Sequence, residues 1–315
     1  MTAKIKNKII IGSRKSELAM WQAEFVKKEL LKHSKNLSVE IKKISTKGDK
    51  ILDVALSKIG DKALFTKELE NELLKGNIDI AVHSLKDLPT ELPKGLELTA
   101  VTKRHAVEDV LVARKKGFTI DKIKEGGTVA TGSLRRKSQL KYLRPDLNIV
   151  DIRGNVQTRL KKFESSKWDA MLMARAGLER MKLKKHISSV IPIYQILPAV
   201  GQGALGIEIS SLNIFAKEAV AKIHNQNVYF AVSAERAFLK ELGGGCQVPI
   251  GAFAELKSNG LYLSGYVGSI DGTITFRKKV RGSKKDAEKL GKQLAKDIKK
   301  AGAAKVLKEI FEYLG

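Results

Sequence analysis

Thr128-Val-Ala-Thr131-Gly-Ser133-Leu-Arg135-Arg136 and, further on, Asn148-Ile-Val-Asp-Ile-Arg153-Gly154-Asn155-Val-Gln-Thr-Arg159 share one local pattern. A short apolar run reads as a buried strand, a turn follows, and Ser133 or Asn155 then stands where a helix would be capped. The reading is therefore strand Thr128–Thr131, helix from Ser133, strand Asn148–Arg153, helix from Asn155. Flanking runs at Asp109–Ala113 and Asp169–Ala174 extend the same sheet. Upstream, strands are expected at Lys8–Gly12, Val39–Ser45 and Ile78–Val82. Between them lie a Ser16-capped helix, apolar at Leu18, Trp21, Phe25 and Val26, and a Thr66-capped helix ending near Gly76. A strand at Ala204–Ile209 and a helix follow Gly201. Such alternation predicts α/β domains with mainly parallel sheets.

The pattern changes from about residue 225. One helix (Val228–Leu242) precedes strands near Phe253–Leu256, Leu261–Val267 and Thr273–Val280, with Asn259-Gly260 and Asp271-Gly272 as turns. Two helices finish the chain. A length of 315 residues exceeds one compact core, so three domains are expected. Their expected extents are 1–103 with 204–221, then 104–203, then 222–315. No internal repeat or low-complexity stretch is evident.

Composition narrows the class. One cysteine excludes a disulfide framework and any multi-thiolate metal centre, and no metal site is expected. No apolar run is long enough to span a membrane. A basic N-terminus leads into Ile9-Ile10-Ile11 rather than a signal-peptide core, so a cytoplasmic protein is expected. The net charge of +25 invites a polyanionic partner. Lys supplies 46 of the 59 basic residues, however, and they are scattered as on a solvated surface. The 13 Arg are more informative, because a guanidinium grips carboxylate or phosphate with two parallel hydrogen bonds. Arg14, Arg135, Arg136, Arg153, Arg159 and Arg180 each stand beside turns or helix starts. Strand ends of this kind line anion-binding crevices, and two such domains facing each other would form a cleft.

Two further segments carry chemistry. In Val82-His-Ser84-Leu-Lys86-Asp87-Leu-Pro89, Asp87 either manages protons and a developing cation or caps a turn and pairs with Lys86. Cys246, after Gly243-Gly244-Gly245, is either a small buried hydrophobe or a reactive or attachment thiol.

Taken together, the motifs resemble the porphobilinogen deaminase (hydroxymethylbilane synthase) family over nearly the whole chain. They are Ile11-Gly-Ser-Arg14-Lys-Ser16 with Trp21-Gln22, Thr46-Lys-Gly-Asp49, Leu64-Phe65-Thr66-Lys67-Glu68-Leu69-Glu70 and the Asp87 segment. The Ser133–Arg136 and Arg153–Arg159 segments follow, then Pro198-Ala-Val-Gly-Gln202-Gly-Ala and Gly244-Gly-Cys246-Gln-Val-Pro-Ile-Gly251. The resemblance implies an α/β fold with three domains. Two are periplasmic-binding-protein type II-like α/β domains, and a smaller α+β C-terminal domain carries Cys246. It implies head-to-tail condensation of four porphobilinogen molecules, with loss of ammonia, on a dipyrromethane primer. Hydrolysis then releases hydroxymethylbilane for tetrapyrrole and haem synthesis. Cys246 would hold the primer by a thioether, and Asp87 would be the catalytic residue. Primer binding is implied for Ser84, Lys86, Asp87, Thr131, Ser133, Arg135, Arg136, Arg153 and Gly154. Substrate binding is implied for Arg14, Ser16, Lys58, Lys62, Phe65, Arg153, Arg159, Arg180 and Gln202. A cytoplasmic monomer with no nucleic-acid or membrane partner is expected.

Two stretches depart from the family pattern. Gly60-Asp61-Lys62-Ala63 replaces Gly-Gly-Lys-Gly, and Val107-Glu108-Asp109 replaces Pro-Arg-Asp. A solute-binding protein, the first rival reading, has no use for Cys246. A nucleic-acid binder would interleave aromatics with its basic residues, yet aromatics are 6% here.

Overall fold

The structure, a computed structural model, describes residues 7–34, 36–50, 64–245 and 247–314. The chain begins with β1 (Lys8–Arg14), α1 (Glu17–His33), β2 (Ser38–Ile44), α2 (Lys47–Lys50), α3 (Lys67–Leu74), β3 (Ile80–Ser84) and β4 (Leu96–Val101). It continues with β5 (Asp109–Ala113), β6 (Thr128–Ala130), α4 (Leu134–Leu143), β7 (Asn148–Val150), α5 (Val156–Glu164), β8 (Ala170–Ala174), α6 (Arg175–Arg180) and β9 (Ser189–Ile191). Then come β10 (Leu205–Ser210), α7 (Ile214–Ala221), α8 (Gln226–Glu241), β11 (Ile250–Lys257), β12 (Gly260–Gly268), β13 (Thr275–Gly282), α9 (Ala287–Ile298) and α10 (Ala304–Leu314).

The described residues fall into two compact units, one within 1–51, 63–104 and 204–229, the other within 105–203 and 230–315. The first unit is built on a sheet of order β2-β1-β3-β10-β4. Strand alternation sends Ile9, Ile11, Ile80 and Val82 to one face, where Ala23, Val26 and Leu30 of α1 cover them. Ala81 points to the other face and packs with Leu69 and Leu73 of α3. Ser16 caps α1 as expected, its hydroxyl accepting from the Ala19 N–H at 3.4 Å.

The second unit holds two sheets. One has the order β7-β6-β8-β5-β9, the counterpart of the first unit's arrangement, and the other is the antiparallel meander β11-β12-β13. Phe238 of α8, Leu294 and Ile298 of α9, and Val306 and Ile310 of α10 bury the meander's Ala252, Leu261 and Leu263. The expected fold class is therefore the one observed. Several features went unread. β4 and the three-residue β9 were not anticipated, the latter being too short for a period-2 pattern to register. β10 also runs antiparallel to both its neighbours, as does β5. A crossover helix enforces parallel pairing only between strands joined by it. β5 and β10 each enter their sheet after the chain has been in the other unit, so that constraint does not reach them.

Within the second unit the two sheets are joined by polar contacts. Glu235 is fully buried; its carboxylate accepts the Gly201 N–H and the Ala254 N–H, both at 2.7 Å. The Tyr266 hydroxyl meets Ser138 Oγ at 2.7 Å, and burial pushes that phenol up to about 12. Arg277 donates to the Tyr194 and Gln195 carbonyls and to Gln139 Oε1. Glu235→Ala removes two hydrogen bonds to a charged acceptor and strands two buried N–H groups. It should cost about 3 kcal/mol or more in urea denaturation, since each such bond contributes roughly 1.5–3 kcal/mol. A loss below about 1 kcal/mol would remove Glu235 from this role.

Candidate functional site

In the second unit the arginines of the Ser133–Arg136 segment turn inward. Arg135 Nη1 lies 2.8 Å from Asp109 Oδ2, and Arg136 Nη2 lies 2.7 Å from Asp109 Oδ1. Gln202 Nε2 donates to the same Oδ1 at 2.9 Å and to the Val107 carbonyl at 2.7 Å. Arg135 also reaches the Leu197 carbonyl, and Arg136 the Leu172 carbonyl. Asp109 is fully buried, which by itself would raise its carboxyl. The two guanidinium groups, Arg135 first and Arg136 second, outweigh burial and hold it far below the usual carboxylate range. Arg136 is itself buried, and its Nε has no hydrogen-bond partner among the described residues.

The other expected anion-binding residues of this unit surround turns. Gly132 is needed between Thr131 and Ser133 because a Cβ there would stand 2.6 Å from the Ile152 carbonyl oxygen. Ser133 makes no side-chain cap, contrary to expectation; instead its N–H donates to the buried Thr131 hydroxyl at 3.3 Å. Asn155 does cap α5, accepting the Thr158 N–H at 2.9 Å. Gly154 takes a positive φ of 117°, and its carbonyl accepts from Arg159 Nε at 2.8 Å. Arg153 is mostly buried, which lowers its pKa. Arg180 donates to the Gly203 carbonyl at 2.8 Å, and burial lowers it to about 10. The departure at Glu108 has a local partner, Arg175, at 3.3 Å, and Arg175 also binds Glu179 at 3.0 Å.

In the first unit, β3 delivers the Asp87 segment. The Leu85 N–H donates to the Ala204 carbonyl at 3.0 Å, and Leu88 closes a turn onto Leu85. Ser84 Oγ accepts from Gln22 Nε2 at 2.7 Å. Asp87 is half-buried, and its carboxylate makes no hydrogen bond or ion pair among the described residues. The alternative in which it pairs with Lys86 is thus not what the fold adopts. Arg14 is paired with Asp49 and lies over the Phe65 ring. Lys58, Lys62 and Cys246 lie outside the described residues.

Sequence reasoning named the arginines but missed their carboxylate partners, Asp109 and Asp49. An acid opening an otherwise apolar strand, as Asp109 does in Asp109-Val-Leu-Val-Ala113, was the available signal. No described helix is long and apolar enough to cross a membrane, and no described cluster of His, Cys, Asp or Glu could hold a metal. Asp109→Asn leaves two guanidinium groups buried without their counter-charge and should destabilise the protein by about 3–5 kcal/mol at neutral pH. Because Asp109's pKa is depressed in the fold, its contribution is complete above about pH 4 and is lost as pH falls through the lower, folded value. Urea titrations of wild type and variant at several pH values should therefore converge only in strong acid.

The chain is similar to known proteins over nearly its whole length. The family model described as "Porphobilinogen deaminase, dipyromethane cofactor binding domain" matches residues 9–229, and "Porphobilinogen deaminase, C-terminal domain" matches 229–300. A porphobilinogen deaminase of Chlorobium phaeobacteroides (strain BS1) is 48% identical over 310 residues, covering 97% of this chain and 99% of that one. One from Prochlorococcus marinus (strain MIT 9312) is 49% identical over 307 residues, covering 97% of each. Among solved structures, the methionine-binding protein MetQ aligns with a TM-score of 0.44 and 15% identity over 69% of this chain and 88% of that chain. Matches of this extent and identity to the deaminases mean that the chain belongs to the porphobilinogen deaminase family of transferases.

Proposed function

We infer that this chain performs its family's reaction, joining four porphobilinogen molecules head to tail with release of ammonia and then freeing hydroxymethylbilane by hydrolysis. The observation that carries the reading is the Arg135–Arg136 pair, two buried guanidinium groups that share one buried carboxylate, Asp109, and so carry excess positive charge. Each ring of the growing chain bears an acetate and a propionate, and guanidinium groups whose charge is only half compensated suit such carboxylates. The dipyrromethane fits the same donor set and, when bound, supplies the free pyrrole α-carbon to which incoming rings add. Cys246 would hold it by a thioether, with Ser84, Lys86, Asp87, Thr131, Ser133, Arg135, Arg136, Arg153 and Gly154 as its contacts.

Asp87 is the catalytic residue in this reading. A carboxylate with no hydrogen bond or ion pair among the described residues can accept pyrrole N–H groups and offset the positive charge that develops as ammonia leaves. Arg14, Ser16, Lys58, Lys62, Phe65, Arg153, Arg159, Arg180 and Gln202 bind substrate carboxylates or rings. We further propose the three-domain division 1–103 with 204–221, 104–203 and 222–315, and action as a cytoplasmic monomer without nucleic acid. These finer points rest on the sequence motifs.

Incubation of the purified chain with porphobilinogen should release ammonia and yield a linear tetrapyrrole, with a dipyrromethane-sized mass addition located on Cys246. A fully active but unmodified protein would contradict the Cys246 assignment. Asp87→Asn should lower turnover by about 10²–10⁴-fold, the range for a positioned acid–base group, while the melting temperature stays near wild type. Near-normal ammonia release by this variant would remove Asp87 from its role.

A further inference from the structure

The Thr46-Lys-Gly-Asp49 motif has no part in the reaction as described above, yet it surrounds Arg14. Thr46 is fully buried, and its hydroxyl donates to Asp49 Oδ2 at 2.8 Å. Asp49 in turn takes Arg14 side-on, with Nε donating to Oδ2 at 3.3 Å and Nη2 donating to Oδ1. The guanidinium carbon lies 4.2 Å from the centroid of the Phe65 ring. Gly48 makes this possible, because a Cβ there would fall 2.2 Å from that ring. The Gly48 N–H donates to the Leu64 carbonyl at 3.0 Å, and the Lys47 N–H donates to Glu68 Oε1 at 2.9 Å. Turn and ring are thereby latched together. Burial would raise the Asp49 carboxyl, but Arg14 and Thr46 together hold it below its usual value, so it is ionised at neutral pH.

A guanidinium has five N–H donors in a fixed plane. Asp49 uses the Nε edge, so the end-on fork, both Nη1 hydrogens and the second Nη2 hydrogen, has no partner among the described residues. We propose that Asp49, backed by Thr46, is a positioning residue that clamps Arg14 side-on so that its end-on fork receives a carboxylate of the pyrrole substrate. This rests on the reading that Arg14 binds substrate. The two effects of Asp49 on an anionic ligand oppose each other. Its charge repels the substrate, while its clamp pre-orients the donor that grips it. If charge governed, removing Asp49 would tighten binding; if positioning governs, removal weakens it.

Steady-state kinetics of the full chain with porphobilinogen separate these outcomes. Asp49→Asn should raise KM at least about fivefold with kcat within about twofold, the signature of lost ground-state binding. Asp49→Glu should recover most of that loss, and Thr46→Val should shift KM in the same direction by less. Thr46→Val also serves as the test if Asp49→Asn fails to fold. Arg14→Leu should raise KM by at least as much as Asp49→Asn, and the double variant should be no worse than Arg14→Leu alone. If Arg14→Leu raises KM while Asp49→Asn and Thr46→Val leave it unchanged or lower it, the clamp is refuted and the substrate role of Arg14 stands. If Arg14→Leu leaves KM unchanged, the substrate role falls and the clamp falls with it. Additive effects in the double variant would also overturn the clamp.

Discussion

Two guanidinium groups on one fully buried carboxylate make up the contact from which the second unit is organised. Asp109 opens β5, Arg135 and Arg136 lie in the first turn of α4, and Gln202 belongs to the segment leading into β10. Gln139, one turn further along α4, exchanges hydrogen bonds with Leu197 in both directions. A strand, a helix and an irregular segment are thus tied at one point. Buried ion pairs of this kind seldom add stability over an apolar replacement, because desolvation offsets the Coulombic gain. Two cations against one anion leave excess positive charge inside the protein. That arrangement is costly to a protein with nothing further to bind and useful to one that binds a polycarboxylate.

The same device recurs at smaller scale in the first unit, where Asp49 holds Arg14. The acids of the molecule therefore divide by what they touch. Asp109 and Asp49 spend their oxygens on arginine, Glu235 on backbone N–H groups, and Glu179 on the Arg175 that also binds Glu108. Asp87 has no such partner among the described residues, although it lies in a turn held firmly by Leu85 and Leu88. A carboxylate left unpaired on a fixed support is available for chemistry in a way that the paired ones are not.

Strand and helix positions were largely legible because their apolar periods are local. Ser16 and Asn155 cap the helices they precede, and the three-stranded meander lies where its turns required. What escaped reading depends on distant parts of the chain. The directions of β5 and β10 follow from where the chain comes from, not from the residues in them. Ser133 resembles a cap in sequence, but the Thr131 hydroxyl accepts its N–H and no cap bond forms. Arg135 and Arg136 were legible as candidates for anion binding, while their partner, 26 and 27 residues upstream, was not. Nothing in local spacing distinguishes an arginine that meets a ligand from one that meets its own chain.

That distinction also refines what the charge of +25 means. Several arginines are consumed by backbone carbonyls. Arg114 ties down the Phe163–Trp168 turn, Arg144 donates to the Ile120 and Ile123 carbonyls as well as to Asp146, and Arg281 donates twice to the Asn259 carbonyl. These contacts act as structural stitches. Arg14 and Arg136 are each anchored by an aspartate from a distant part of the chain, 35 and 27 residues away, and each keeps donors without a partner among the described residues. An anchored arginine with unused N–H groups is pre-oriented for a second carboxylate. In the proposed reading, anion binding by this chain follows from which arginines are held by an acid from elsewhere in the fold, and not from how many basic residues it carries.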